Sequence, residues 1–315
     1  MKLLSFEFHN EHKLGALHDQ YIIDLDRAHQ LFLPEITGTH VNAPSRFPQE
    51  MIEFLELGEK LRNYTSRLTD HVHGLLPEHR EELEQHGVLL DATDVHVLPP
   101  VPIPPKIVCL GLNYRDHADE ARVPLPDRPL LFSKPSTAIV GPEDFVVYPK
   151  ISTQVDYEVE LAAIIGKPGK EISESDAFDH IAGYTVFNDI SARDIQFADK
   201  QWFRGKSFDT FAPTGPCLVL REQLGDPHNL KMELRVNGEV RQRSTTANMI
   251  FKIPRLVAFI SNAMTLQPGD IIGTGTPAGV GYYAKPEKRL LRPGDLMEAE
   301  IEGVGVLRNR VVRAE

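Results

Sequence analysis

Val155-Asp156-Tyr157-Glu158-Val159-Glu160-Leu161 alternates apolar and acidic side chains with a period of two. On an extended backbone that period sends Val155, Tyr157, Val159 and Leu161 to one face and Asp156, Glu158 and Glu160 to the other. The apolar run 162–165 follows at once, so the acidic face is carried toward a core. Three carboxylates on one strand face repel one another and resist burial. A bound cation removes both difficulties, and hard oxygen ligands select Mg²⁺, Mn²⁺ or Ca²⁺ over zinc. An isolated Glu-x-Glu is more often a solvated strand face, so the rest of the chain must decide.

The strand sits in a chain of 315 residues, enough for a main domain and a smaller one. Apolar and charged fractions of 41% and 25% are those of an ordinary globular enzyme. A formal charge of −11 argues against nucleic acid as a partner. No basic-apolar leader and no apolar run of membrane-spanning length is present, so a cytoplasmic protein with no membrane partner is expected. Cys109 and Cys217 lie in apolar runs and are expected to be buried free thiols. His71 and His73 are expected in a surface loop.

The proline-rich segment 98–105 forces an extended connector and is read as a boundary between 1–98 and 99–315. Before it, 2–8, 13–18 and 20–25 read as strands with a turn at Asp19-Gln20, and 47–68 and 77–85 read as helices. After it the chain reads mostly as strands: 106–112, 130–134, 145–148, 157–165, 183–188, 217–220, 231–236, 270–273, 296–301 and 305–312. Asn237-Gly238 carries a hairpin signal. Helices are expected near 115–121, over 173–180 and over 254–264. The fold class is thus α+β and β-rich.

Three further segments carry chemistry. Asp189 follows the strand 183–188 and can supply a third carboxylate or simply cap the next turn. His117 and Glu120 are three apart and share a helix face. A carboxylate beside imidazole fixes its tautomer and suits a general base acting on water, although such pairs are also common on exposed helices. Lys134 and Lys206 supply positive charge for an anionic substrate. The loop Gly273-Thr274-Gly275-Thr276-Pro277-Ala278-Gly279-Val280-Gly281 offers amides and hydroxyls to a carboxylate, and it lacks the Lys-Ser/Thr ending of a nucleotide-binding loop.

Taken in order, N-Y-R-D-H-A-D-E, F-S-K-P-S-T-A, D-Y-E-V-E-L, N-D-I-S-A-R-D-I-Q, G-K-S-F-D and T-G-T-P-A-G-V-G resemble the fumarylacetoacetate hydrolase family across about residues 106–312. The resemblance implies a mixed β-sandwich roll with a small α/β N-terminal domain, a homodimer, and Mg²⁺ or Mn²⁺ (Ca²⁺ being a further candidate) held by Glu158, Glu160 and Asp189. It makes His117 and Glu120 the water-activating dyad. It turns Arg193, Gln196, Lys206 and Thr276 toward substrate, with Lys134 counted among the substrate contacts and Asp156 at most behind the ligands. The substrate it implies is a small oxo-carboxylate. The expected activity is metal-dependent hydrolysis of a C–C bond in a 2,4-dioxo acid of the acylpyruvate or fumarylpyruvate type, through an enolate, with Lys206 near the developing oxyanion. Decarboxylation of oxaloacetate and isomerisation of a hydroxyheptadienedioate make the same demand on the site. Outside enzymes, the alternatives are a catalytically idle metal-binding relative and a β-rich interaction protein without metal.

Overall fold

Strand-forming runs organise into two large sheets in a computed structural model that describes residues 1–37 and 43–314. Among these residues the larger sheet has twelve strands. Val159–Ile165 lies near its centre, antiparallel to Ile181–Asn188 on one side and to Ile271–Gly273 on the other. Every residue of Val159–Ile165 and of Ile181–Asn188 is buried, as strands covered on both faces require. Ala212–Leu220 continues the sheet beyond Ile181–Asn188. Ile107–Gly111 and then Leu130–Lys134 continue it beyond Ile271–Gly273.

The second sheet has five strands, ordered Glu239–Thr245, Lys231–Val236, Leu296–Ile301, Gly305–Arg313 and Phe145–Tyr148. It packs on the first sheet, and Leu234, Met297, Ala299 and Leu307 share one core with Val155, Tyr157, Val159 and Leu161. The opposite side of the central strand, with Ala162 and Ile164, is covered by N-terminal residues such as Phe54, Tyr64 and Leu68. The architecture is the expected strand-rich α+β sandwich. Asn237 and Gly238 both take positive φ, the backbone of a tight hairpin between Lys231–Val236 and Glu239–Thr245.

At the N-terminus the three expected strands, Lys2–Phe8, Glu11–His18 and Tyr21–Asp24, pair as an antiparallel meander. Lys2–Phe8 also pairs with Ala212–Leu220, so the large sheet runs on through the chain segments either side of 98/99.

The helices depart from the sequence reading. Leu25–Thr37 is a helix that the internal Pro34 disguises. The two helices expected over 47–68 and 77–85 are instead Met51–Glu56 and a 28-residue helix, Gly58–Gln85, bent at His79 two residues after Pro77. His71 and His73 therefore lie on a helix, and His73 packs its ring 4.2 Å from that of His18. Over 173–180 only a single turn, Ala177–His180, forms. Ser173 there bonds Ser175 and Asp176 through its side chain, which competes with helical bonding. Arg115–Ala121 and Ile253–Ala263 match expectation, with Pro254 in the first turn of the latter. Cys109 and Cys217 are buried free thiols, and burial pushes the Cys217 thiol up to about 11.

Candidate active site

Val155, Tyr157, Val159 and Leu161 all enter the core, at 0–1% exposure. Asp156, Glu158 and Glu160 are buried too, so their face is not a solvated one. The strand ladder is interrupted between Val155–Asp156 and Val159–Ile165. There the Glu158 amide donates to Asn188 Oδ1 at 3.0 Å and the Val159 amide to Gln242 Oε1 at 2.9 Å, so side chains replace the missing backbone acceptors. Asp189 leaves the end of Ile181–Asn188, and its amide donates to the Glu158 carbonyl at 2.9 Å. One carboxylate oxygen from each of Glu158, Glu160 and Asp189 lies within 4.8 Å of the others.

Three buried cations face this cluster. Lys206 Nζ bridges Glu158 at 2.8 Å and Asp189 at 2.6 Å. Arg193 spans Asp156 at 2.9 Å and Glu158 at 2.5 Å. Lys134 Nζ donates to Asp189 at 2.5 Å and to the Ile190 carbonyl at 3.0 Å. Burial alone would raise the pKa of Glu158, but Lys206 and Arg193 outweigh it and hold the carboxyl well below its usual range. Glu160 goes the other way. Burial, with the like charges of Asp189 and Glu158, pushes it well above the ordinary carboxylate value. Its Oε2 accepts from the Gly275 amide at 3.0 Å, while its buried Oε1 has no hydrogen-bond partner. An all-carboxylate donor set with one orphaned oxygen fits a hard divalent ion.

The glycine-rich loop holds carboxylates as expected, but they are the protein's own. Gly275 N–H serves Glu160, Gly279 N–H serves Glu120 at 3.0 Å, and the Gly281 and Tyr282 amides serve Asp156 at 2.7 and 3.0 Å. A Cβ at Gly273 would stand 2.6 Å from Glu160 Oε2, so a larger residue there would have to displace that carboxylate.

His117 lies on the helix Arg115–Ala121 with Nδ1 3.4 Å from Glu120 Oε2. The helix shares with Glu158, Arg193, Gln196, Lys206 and Thr276 a cavity of about 220 Å³. Arg193 also donates to Gln196 Oε1 at 3.1 Å, which sets the amide beside the guanidinium. The Thr276 hydroxyl is already engaged, donating to the Val159 carbonyl at 2.9 Å and accepting from Gln242 at 2.9 Å. Lys134 does not belong to the cavity lining. Fully buried and committed to Asp189, it sits as a support for that carboxylate rather than as the substrate contact expected from sequence.

Residues 106–312 match the family described as fumarylacetoacetate (FAA) hydrolase, C-terminal. The chain belongs to the fumarylacetoacetate hydrolase family. Within it, the chain is 44% identical to a mitochondrial oxaloacetate tautomerase, FAHD2A, of Bos taurus over 299 residues, 90% of each chain. It is 47% identical to the Homo sapiens protein of that name over 267 residues, 84% of this chain and 80% of the other. Among solved structures, maleylpyruvate hydrolase from Sphingobium sp. SYK-6, in complex with manganese(II) and pyruvate, matches over the full length of both chains at 31% identity and TM-score 0.75. A 2-hydroxyhepta-2,4-diene-1,7-dioate isomerase from Mycobacterium marinum matches at 31% identity and TM-score 0.71, over 99% of this chain and 98% of that one.

For this family member, sequence reasoning missed several residues around the cavity. Gln242 and Asn188 complete the backbone around Glu158, Asp116 anchors the helix of His117, and Trp202 and Tyr283 wall the cavity. Only Trp202, the single tryptophan of the chain, stands out in composition.

Proposed function

We propose that this protein is a divalent-metal-dependent enzyme that interconverts the keto and enol forms of a short 2-oxo dicarboxylic acid of the oxaloacetate type. The observation that carries the proposal is one small cavity lined by His117, Arg193, Gln196, Lys206 and Glu158, the last belonging to the acidic cluster. The names of the bovine and human relatives favour tautomerisation over the hydrolysis expected first from sequence.

In this proposal Glu158, Glu160 and Asp189 hold Mg²⁺ or Mn²⁺, with Ca²⁺ admitted by the same ligands. When bound, the ion would act as a Lewis acid that stabilises negative charge on the 2-oxo oxygen. Arg193 and Gln196 hold the substrate carboxylate. His117, backed by Glu120, takes a proton from the carbon next to the 2-oxo group. The electron pair of that C–H bond moves into the carbon framework and its charge settles on the oxygen, where Lys206 adds positive charge. Return of the proton to the oxygen completes the enol. Thr276 serves as wall and support for the strand.

A second reading keeps hydrolysis of an acylpyruvate- or fumarylpyruvate-type acid. The His117–Glu120 pair favours it, since the same base can deprotonate water, and the manganese-bound structural neighbour is named a hydrolase. The same proposal includes 1–98 as a packing and lid-supporting part that contributes none of the named site residues. It includes a homodimer, for which exposed Ile103, Phe145 and Ile151 offer apolar surface. No helix among the described residues is long and apolar enough to cross a membrane. A cytoplasmic location is also proposed, although the mammalian relatives bear mitochondrial names.

The test is a turnover panel of oxaloacetate, acetylpyruvate, fumarylpyruvate and a hydroxyheptadienedioate with Mg²⁺ or Mn²⁺ and a chelated control. Metal-dependent loss of the oxaloacetate enol, with neither carbon dioxide nor pyruvate released, is expected. Pyruvate with a second acid would establish hydrolysis instead, and carbon dioxide would establish decarboxylation. His117→Ala should lower the rate by about 10²–10⁴-fold while keeping the metal stoichiometry. A wild-type rate in that variant removes His117 from the mechanism.

A further inference from the structure

We infer that Trp202 is the specificity-determining wall of the cavity, limiting its occupant to a 2-oxo acid of about four or five carbons. The inference rests on the proposal that a 2-oxo acid is bound at the acidic cluster, and it adds which lengths and which tails are accepted. A chain of contacts leads from that cluster to the wall. Lys206 Nζ, bonded to Glu158 and Asp189, lies 5.0 Å from the centre of the Phe132 ring. The Phe132 ring meets the Trp202 indole edge-on, centroids 5.5 Å apart at 71°. The indole in turn lies against Gly111, where a Cβ would come within 2.3 Å of the ring. Trp202 thus lines the same cavity as Lys206 and Glu158 and is linked to that lysine through the Phe132 ring. The Lys206 amide donates to the Trp202 carbonyl at 3.1 Å, so the two residues share one turn of backbone.

The volume agrees with such a limit. About 220 Å³ is small beside the roughly 300–1,000 Å³ usual for larger ligands. The lining is also divided in character. Arg193, Lys206 and Glu158 are its charged members, whereas Leu110, Val123, Phe132, Phe197 and Trp202 carry no charge. A short diacid keeps both carboxylates within reach of the cations. A longer one would bring its far carboxylate against uncharged lining such as Phe197 and Trp202, which costs desolvation. The cavity thus selects twice, by length through Trp202 and by tail polarity through the apolar lining.

Two series of ligands separate these effects. Calorimetric binding with Mn²⁺ present would compare 2-oxobutanoate with 2-oxohexanoate, and 2-oxoglutarate with 2-oxoadipate, in the wild type, Trp202→Phe and Trp202→Ala. The wild type should bind 2-oxohexanoate at least about tenfold more weakly than 2-oxobutanoate. Trp202→Ala should erase that ratio, Trp202→Phe should fall between, and 2-oxoadipate should stay weak in all three. An unchanged ratio in folded, Mn²⁺-binding Trp202→Ala overturns the inference. If that variant does not fold, Gly111→Ala, which drives the indole off its seat, should change the same ratio, and constancy there overturns the inference as well. Wild-type length discrimination without oxaloacetate tautomerisation would overturn the proposed reaction and leave the wall standing. Tautomerisation with no effect of Trp202 would do the reverse, and failure to bind any of the acids would overturn both.

Discussion

Glu160 shows how much one residue's chemistry can be read from its neighbours in sequence. Its alternation with Val159 and Leu161 placed it on a strand beside other carboxylates, and the structure buries it there. What the spacing could not show is the asymmetry within the triad. Glu158 is compensated by Lys206 and Arg193, which lie 48 and 35 residues away in the chain, whereas Glu160 has one oxygen on a glycine amide and the other unsatisfied. Without an ion, Glu160 is therefore a destabilising group among like charges. Glu160→Gln should abolish Mg²⁺ and Mn²⁺ binding in calorimetry and at the same time raise the melting temperature of the metal-free protein by a few degrees. A metal-free melting temperature that falls would mean that the carboxylate is compensated in some other way. Lys134 illustrates the converse limit. Its motif marked it as a functional cation, but only the fold could reveal that the ammonium points at Asp189 rather than at the cavity.

At the scale of the element, the helix Arg115–Ala121 was expected near 115–121, yet seven residues cannot hold a helix in water unaided. Its anchors lie far along the chain. Asp116 accepts from Ser244 Oγ at 2.5 Å and from Asn248 Nδ2 at 3.1 Å, and its other oxygen takes the His117 amide at 2.9 Å. Glu120 is held by the Gly279 amide. These partners are long-range, so no local periodicity announces them. The same reason explains the helix Gly58–Gln85, where packing of Leu61, Tyr64, Leu68 and Val72 on the sheet carries the helix past the loop-like polar sequence around His71. Asp116→Ala takes the acceptor away from three donors and removes the brace under His117, at a cost of about 1–3 kcal/mol. Amide exchange over 115–121 should accelerate and kcat should fall, with Mn²⁺ affinity unchanged because no metal-site carboxylate is touched. Unaltered exchange in that segment would show that Glu120 and Gly279 hold the helix without Asp116.

For the whole molecule, the proline-rich segment 98–105 reads as punctuation, while hydrogen bonding and packing run straight across it. Lys2 and Leu3 pair with Val219 and Leu218, Leu98 donates to the Ser5 carbonyl, and Ser5 donates to the Pro100 carbonyl. The core beneath the acidic strand joins Leu3, Phe54 and Tyr64 to Ala162, Ile164 and Leu218. Nothing in a local pattern could disclose that the N-terminal strands extend the sheet that carries the site, because strand partners are chosen by burial over the entire chain. Shared strands and a shared core make separate melting of 1–98 costly, since it would strip one face of the central strand Val159–Ile165. Thermal and urea unfolding should therefore be a single transition. Far-UV circular dichroism, to which the helix Gly58–Gln85 contributes heavily, and the fluorescence of Trp202 report on the two sides of 98/99 and should coincide. In the proposed function the ion is held by the folded cluster alone, so Mg²⁺ at about 100 times its Kd should move both curves together by about 2.7 kcal/mol. Two resolved transitions, with only the fluorescence step responding to metal, would show instead that the N-terminal strands are added to an independently stable sheet.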